Sequence, residues 1–418
     1  MKSSILSWNV NVNKVIPYSR QSIDQDDISA VVSILKSDYL TQGPAIAKFE
    51  SAIAEYTGAK YCVVFSSGTS ALHAAYFASG LGDGDEIITS PITFVATSNA
   101  ALYLRAKPVF SDIEPDTANI DVGKIEEKIT ESTKILVPVH YSGHPVDMTK
   151  IRALGNKYGI MVIEDACHAL GAQHKGGQSR AKNQTVDTRN DEWARIGSCT
   201  HSDMTILSFH PVKHIATGEG GAVLTRNKLF YDRLLMFRSH GITKNRINFT
   251  GTGTSGQGEW YHEMQLLGYN YRMTDIQAAL GYSQLTKIKR FIEARCEIAA
   301  YYNHVFQDNP YFDIPIERDY GRSSYHLYTI QLKEHLVGKR ASIFARLREE
   351  GLGVQVLYIP VYLQPYYQKI GYKAGLCPVA EDFYSRAISI PIYHGMTETD
   401  RDEVVKRVLR VLKEKEQS

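Results

Sequence analysis

The sequence predicts an α/β protein: a mostly parallel sheet in a large domain, followed by a smaller C-terminal α+β domain. Three observations predict it. Between residues 61 and 163 short apolar runs alternate with helix-length stretches, which means crossover units and hence parallel strands with helices on both faces. After Thr274 the order changes to helices, separated strands and a closing amphipathic helix. The length of 418 residues exceeds one ordinary domain and suits one large and one small. The expected division is an arm and first helix over 1–40, the large domain over 41–274 and the small one over 275–418.

Taken in order, residues 1–20 show no periodicity and read as an arm. A helix starts near Asp26, because Ile28, Val31, Val32 and Leu35 recur at helical spacing. A second covers 45–56 and is stopped by Gly58 in the C-cap position. Strands are expected at 61–65, 86–89, 108–110, 135–139 and 160–163, with helices at 70–79, 96–105, 123–129 and 148–158. Residues 204–209 and 221–225 read as a hairpin on the same sheet. The polar stretch 171–201 is a long loop, a type that is either functional or mobile. Residues 251–256 spell Gly-x-Gly-x-x-Gly, but they follow no strand and open no helix, so they read as a flexible loop and not a dinucleotide site. Ile276, Ala279 and Leu280 begin a helix that leads into a longer one through Tyr302. A strand at 325–332, a helix at 341–350, strands at 354–358 and 387–390, and a last helix carrying Val404, Val405, Val408 and Leu412 complete the chain.

Composition excludes several classes. With 43% apolar and 22% charged residues the chain is globular. The net charge of +2, without a basic block, implies no nucleic-acid or membrane partner. No apolar run approaches the ~18 residues of a membrane span, and the N-terminus lacks a signal-like apolar core. Cys62, Cys167, Cys199, Cys296 and Cys377 are odd in number and form no Cys-x-x-Cys pair. Reduced thiols in the cytoplasm are therefore expected, with no metal site.

Four local patterns carry chemistry. Lys213 sits between an apolar strand and the Gly-rich turn at Gly218, Gly220 and Gly221; partial burial there would leave a neutral amine able to condense with an aldehyde. Taken alone, it is as readily a surface lysine beside a hairpin. Asp165 ends a parallel strand, at the edge where such sheets bind ligands, and could keep a pyridinium protonated; it could equally cap a helix. His168 follows three residues later. Ser66, Ser67, Gly68, Thr69 and Ser70 open a helix after the first strand, which suits a phosphate or a plain Ser/Thr cap. Phe94 follows the second strand and offers a face for a flat ring, or simply core.

Their order is the stronger signal: phosphate turn, aromatic, strand-end Asp, then Lys after a later strand. Together with Asp38-Tyr39-Leu40-Thr41-Gln42-Gly43-Pro44, Glu164-Asp165-Ala166-Cys167-His168-Ala169, Ser208-Phe209-His210 and Gly268-Tyr269-Asn270-Tyr271-Arg272-Met273-Thr274-Asp275, they make the chain resemble the DegT/StrS-type sugar aminotransferases, from Tyr18 to about His394. The stretches 18–23 and 353–360 look most like the pseudaminic acid branch of that family. The resemblance implies the aspartate-aminotransferase-like (type I) fold and pyridoxal 5'-phosphate (PLP) as cofactor. It implies that Lys213 links to the cofactor and moves the proton, that Asp165 pairs with the pyridine nitrogen and that His168 lies near the phenolic oxygen. Gly68, Thr69 and Ser208 would hold the phosphate, Asn270 would reach it from the neighbouring subunit of a homodimer, and Phe94 would stack on the ring. Tyr18, Asp38, Tyr39, Leu40, Thr41, Gln355 and Tyr358 would line the sugar site. The implied reaction is ping-pong amino transfer from L-glutamate to the C4 ketone of a UDP-linked 6-deoxy-4-keto N-acetylhexosamine. Other readings are a dTDP-linked or 3-keto sugar substrate, a dehydratase of the family, which carries His in place of the lysine, or a non-enzymatic sensor. The chain departs from the pattern in its long Asp165-to-Lys213 spacing, expected as an excursion at the rim or surface.

Overall fold

The computed structural model describes residues 15–176, 193–251 and 258–417. Most of the N-terminal arm, the middle of the polar stretch and the core of the Gly-x-Gly-x-x-Gly segment lie outside the described residues.

A seven-stranded sheet organises the large unit. Its strands are β1 (Tyr61–Phe65), β2 (Glu86–Thr89), β3 (Lys107–Phe110), β4 (Thr133–Val137), β5 (Met161–Asp165), β6 (Met204–Ser208) and β7 (Gly221–Thr225). They lie in the order β1-β7-β6-β5-β4-β2-β3. All neighbours pair in parallel except β7, which runs antiparallel to both β1 and β6. The near-continuous apolar runs of these strands reflect burial on both faces: β2 and β7 are buried at every position. The expected hairpin is therefore an antiparallel pair, but twelve residues, including Lys213, separate its strands.

Helices α1 (Gln25–Leu35), α2 (Pro44–Thr57), α3 (Gly68–Ser79), α4 (Ala96–Tyr103), α5 (Met148–Tyr158) and α6 (Lys228–Arg238) accompany the sheet. Gly58 ends α2 at φ +82°, the left-handed region open to a glycine. Two helices, α7 (Asp275–Thr286) and α8 (Ile288–Phe306), follow. Helix α7 packs on α1 and α2, and the start of α8, at Ile288 and Phe291, shares a buried cluster with Phe49, Ile53 and Phe209. Its second half, at Ile298, Tyr302 and Phe306, instead joins Tyr328, Ile330, Val404, Val408 and Leu412. That second cluster is the core of the small unit, built on β8 (Phe312–Asp313), β9 (Tyr328–Leu332) and β10 (Ala387–Ile390), with helices α9 (Arg340–Glu349) and α10 (Glu398–Glu416). Ile16, far away in sequence, closes it.

Three expected elements differ. The polar stretch expected as a loop carries two short strands, Gln173–Lys175 and Trp193–Arg195, paired antiparallel to each other, with the first also paired to Gly321–Arg322. Residues 123–129 form two 3-10 turns, Val122–Lys124 and Glu126–Lys128, instead of a helix. Gly123 at the start and a run of only seven residues give too little to offset the cost of helix nucleation. Residues 354–358 are not a strand: Gln355 alone bridges Ser389. Beyond it the chain is diverted, because the Tyr141 hydroxyl takes the Leu357 carbonyl at 2.5 Å and Tyr358 turns to His168.

Candidate active site

The strand ends that matter meet at the C-terminal edge of the parallel strands, where open α/β sheets bind ligands. There β1 passes through Ser66 and Ser67 into α3, β5 ends at Asp165, β6 ends at Ser208, and the reversed β7 begins at Gly221. In register, Gly221 lies between Phe65 and Ser208. A cavity of about 450 Å³ opens on this edge. Gly68, Thr69, Phe94, Asp165, His168, Ser208 and Lys213 line it, with Tyr18 from the arm and Tyr358 from the small unit.

The turn from β1 into α3 is built by close packing. Ser67 caps α3 reciprocally with Ser70, so its hydroxyl is engaged, while the first-turn N–H groups of Gly68 and Thr69 have no intrahelical acceptor. A Cβ on Gly221 would stand 2.6 Å from the Ser67 carbonyl oxygen, and one on Gly68 would stand 3.2 Å from Ser208 Cβ. The glycines of the two motifs therefore let three backbone segments form one cradle.

Asp165 is buried. Its Oδ2 accepts from Thr97 Oγ1 at 2.6 Å, Thr97 is paired with Thr93 at 2.8 Å, and its Oδ1 accepts from the Cys167 N–H at 3.2 Å. No helix follows it, so the helix-cap alternative falls. Phe94 is 59% exposed beside fully buried Ile92, so the core alternative falls too; its ring stands 6.2 Å from that of Tyr358 at the mouth.

Lys213 is no surface lysine. Burial lowers its amine to a pKa of about 8, against the opposing pull of the Cys167 thiol and Asp165 and with help from Arg295. Its Nζ lies 3.4 Å from His326 Nε2. His168 Nε2 is 3.1 Å from the Tyr358 hydroxyl, while its Nδ1 is buried without a partner. Burial, with Lys213 and His214 nearby, holds His168 well below the usual histidine range, so it is neutral.

The structure thus brings together Tyr18, Gly68, Thr69, Phe94, Asp165, His168, Ser208, Lys213 and Tyr358. It does not bring Asp38, Tyr39, Leu40 or Thr41 to this cavity: they are exposed, anchored where the Leu40 carbonyl accepts from the Asp275 N–H. Gln355 is held in its bridge to Ser389, and Asn270 is exposed outside the lining. Thr97 and His326 escaped the sequence reading. Neither left a usable signal: Thr93 lies ahead of α4, so its spacing to Thr97 marks no shared helical face, and a lone His before a strand marks no site.

Among the described residues no cluster of His, Cys, Asp and Glu suits a metal ion. No helix among them is long and apolar enough to cross a membrane, and all five cysteines are free.

Residues 21–409 match the DegT/DnrJ/EryC1/StrS aminotransferase family. A Campylobacter jejuni UDP-4-amino-4,6-dideoxy-N-acetyl-beta-L-altrosamine transaminase is 39% identical over 401 residues, 95% of this chain and 98% of that protein. The solved structure of Helicobacter pylori PseC, an aminotransferase of pseudaminic acid biosynthesis, is similar with a TM-score of 0.82 and 33% identity, covering 96% of this chain and all of that one. Spr1654 of Streptococcus pneumoniae in its PLP form is similar with a TM-score of 0.84 and 26% identity, covering 96% and 99%.

Proposed function

We infer the reaction from one premise: the chain belongs to the DegT/DnrJ/EryC1/StrS aminotransferase family and is a PLP-dependent nucleotide-sugar aminotransferase of type I fold. PLP, when bound, supplies the electron sink that lets an amino acid lose its Cα proton. The residues fit it: a backbone cradle for a phosphate, an exposed aromatic face, a buried carboxylate and an amine line one cavity.

Lys213 serves as the covalent anchor and as the base and acid that removes and returns the proton through Nζ. With its pKa near 8 it offers both forms close to neutral pH. Asp165, its two oxygens oriented by Thr97 and the Cys167 N–H, would pair with the ring nitrogen and stabilise positive charge there. Gly68, Thr69 and Ser208 would hold the phosphate, and Phe94 would cover the ring. His168, neutral and tethered by Tyr358, has its buried Nδ1 without a partner and would offer it to the phenolic oxygen.

The transfer is ping-pong. L-glutamate leaves as 2-oxoglutarate, and the amino group passes to the C4 ketone of a UDP-linked 6-deoxy-4-keto N-acetylhexosamine. The near full-length similarity to the Campylobacter jejuni transaminase supports this substrate; Tyr18 and Tyr358 at the mouth, with Gln355 and residues 38–41 farther out, would contact it. The observation that carries the reading is the Lys213 amine and the Asp165 carboxylate on one cavity wall. Single-turnover amino transfer to a panel of UDP- and dTDP-linked 4-keto sugars tests it. Turnover of UDP sugars is expected, and turnover of dTDP sugars alone overturns the substrate while sparing the chemistry.

The working form is a homodimer in the cytoplasm in which Asn270 reaches the partner's phosphate site. Exposed Trp260, Met264, Leu267 and Tyr269 beside Asn270, with Tyr39 and Leu40, offer the apolar surface such a contact needs.

A further inference from the structure

We propose that His326 is the positioning residue for Lys213: its buried imidazole receives an N–H of the lysine and holds the amine against the cavity wall, and Arg295 fixes the backbone that carries that imidazole. This rests on the reading of Lys213 as the reacting amine.

Geometry carries the argument. His326 lies two residues before β9 and is 2% exposed. Its Nε2 stands 3.4 Å from Lys213 Nζ, its ring centroid 4.4 Å from that of His168 and 5.6 Å from that of His214. The Nε2 atoms of the other two imidazoles already have partners. His168 meets the Tyr358 hydroxyl, and His214 Nε2 donates to the Ser324 carbonyl at 3.1 Å. His326 Nε2 meets the lysine.

Arg295, on α8, is fully buried, and the groups it meets are not carboxylates. It donates to the carbonyls of Tyr325 at 3.1 Å, His326 at 3.2 Å and Ile392 at 3.0 Å, and stands 3.5 Å from Ser19 Oγ. A guanidinium buried without a carboxylate partner costs stability unless carbonyl acceptors satisfy it, and these three do so in part. Its bonds tie the arm, the approach to β9 and the segment after β10 around the backbone of His326. Its charge, after burial and together with Lys213, His168 and His214, keeps the His326 ring neutral. A neutral ring can accept from a lysine without repelling it. The groups facing Lys213 itself are Asp165, Cys167, His168, His214, Arg295 and His326.

The consequence concerns the moment when the amine is free. A lysine side chain has many rotamers to lose on being ordered, and the proton must move in one geometry. A fixed acceptor at its tip removes most of those alternatives. The 3.4 Å separation is at the long end for a hydrogen bond.

The test compares His326→Leu, which removes the acceptor, with His326→Gln, which keeps one. In cofactor-free protein, the pH dependence of Lys213 acylation by acetic anhydride, read by mass spectrometry, reports the amine's midpoint. Leu is expected to lower it by about 0.5 to 1 pH unit, because the acceptor stabilising the ammonium is lost, and Gln to restore it. In loaded enzyme, Leu is expected to slow the single turnover with L-glutamate about tenfold without changing its concentration dependence, and Gln to recover most of the rate. An unchanged midpoint in the Leu variant, or a Gln variant as impaired as Leu, overturns the proposal. Should the Leu variant not fold, nitrogen-15 histidine spectra of the cofactor-free wild type decide. One Nε2 signal absent from the Gln variant must move with the lysine's midpoint, and its failure to move overturns the proposal. Failure of the underlying reading is seen separately, as wild-type protein without the cofactor absorbance near about 420 nm.

Discussion

Asp165 shows at the scale of one side chain how the cavity keeps a charge where a ring nitrogen would meet it. Both carboxylate oxygens are already oriented, by Thr97 and by the Cys167 N–H, so only a further donor in the cavity can complete the set. Asp165→Asn is expected to leave the cofactor bound at Lys213 while slowing the glutamate half-reaction by about 10²-fold or more; stopped-flow absorbance checks both. Lys213→Ala is expected to lose all cofactor that borohydride can fix to the chain, read as the mass of the intact protein. A variant that still retains fixed cofactor would move the anchor elsewhere. Lys213, Asp165, Phe94 and the Ser67-Gly68-Thr69 turn were legible in the sequence because each is local: a residue type at a strand end or helix start. Thr97 and His326 were not. Their roles arise from neighbours 68 and 113 positions away, and nothing in their own surroundings records those contacts.

At the scale of elements, the cradle depends on two backbones touching where β7 starts beside the turn into α3. Gly221→Ala puts a methyl 2.6 Å from the Ser67 carbonyl oxygen, so β7 or the turn must move. We expect a loss of about 1–3 kcal/mol in denaturant unfolding, with weakened cofactor affinity from the displaced turn. Ser67→Ala removes only the reciprocal cap of α3 and is expected to cost about 1 kcal/mol. If Ser67→Ala instead proved the more damaging of the two, the cradle would rest on its hydroxyls and not on close packing. Element identity was readable wherever burial on both faces left a continuous apolar run, as in β1, β2 and β5. It was unreadable at 354–358, whose apolar alternation mimics a strand while Tyr141 and His168 pull the backbone and Tyr358 out of any ladder.

For the whole molecule, buried titrating groups set the response to acid. Burial lowers His73, His144 and His201 to about 4 and His394 to about 3, from 6.5. The unfolded chain therefore takes up protons that the folded chain refuses as pH falls below 6.5, and stability declines there. Glu164 acts in the same direction lower down. Burial would raise it, but hydrogen bonds from His140 and Ser202, with His174 nearby, outweigh that and hold it at about 2 against 4.5. Its contribution is present above 4.5 and is lost as pH falls toward 2. The thermal midpoint is thus expected to be flat between about pH 7 and 8, the range below which the buried histidines act and above which Lys213 begins to, and to fall in two stages as pH drops, the second diminished by Glu164→Gln; calorimetry across that range checks it. A midpoint that stayed level down to pH about 5 would contradict the buried neutral histidines. Assembly belongs to this scale too. If Asn270 serves a partner, mixing inactive Lys213→Ala with Asn270→Asp should restore part of the activity, since one site in the hybrid has both wild-type residues.

What the residues determined on their own was whatever depends on near neighbours along the chain: the alternation that builds the sheet, the cap and turn that open α3, the glycines of the two motifs, and the order of motifs that marks the family. Only the tertiary structure decided which of these meet in one cavity. It put Tyr18 and Tyr358 on its wall and left Gln355 and residues 38–41 outside. It divided the packing inside α8, and it set a buried arginine behind the imidazole that faces Lys213. The physical reason is range. Helix periodicity, capping and strand burial act over a few residues, whereas a cavity's charge balance is set by groups that approach only when distant segments are packed and water is excluded.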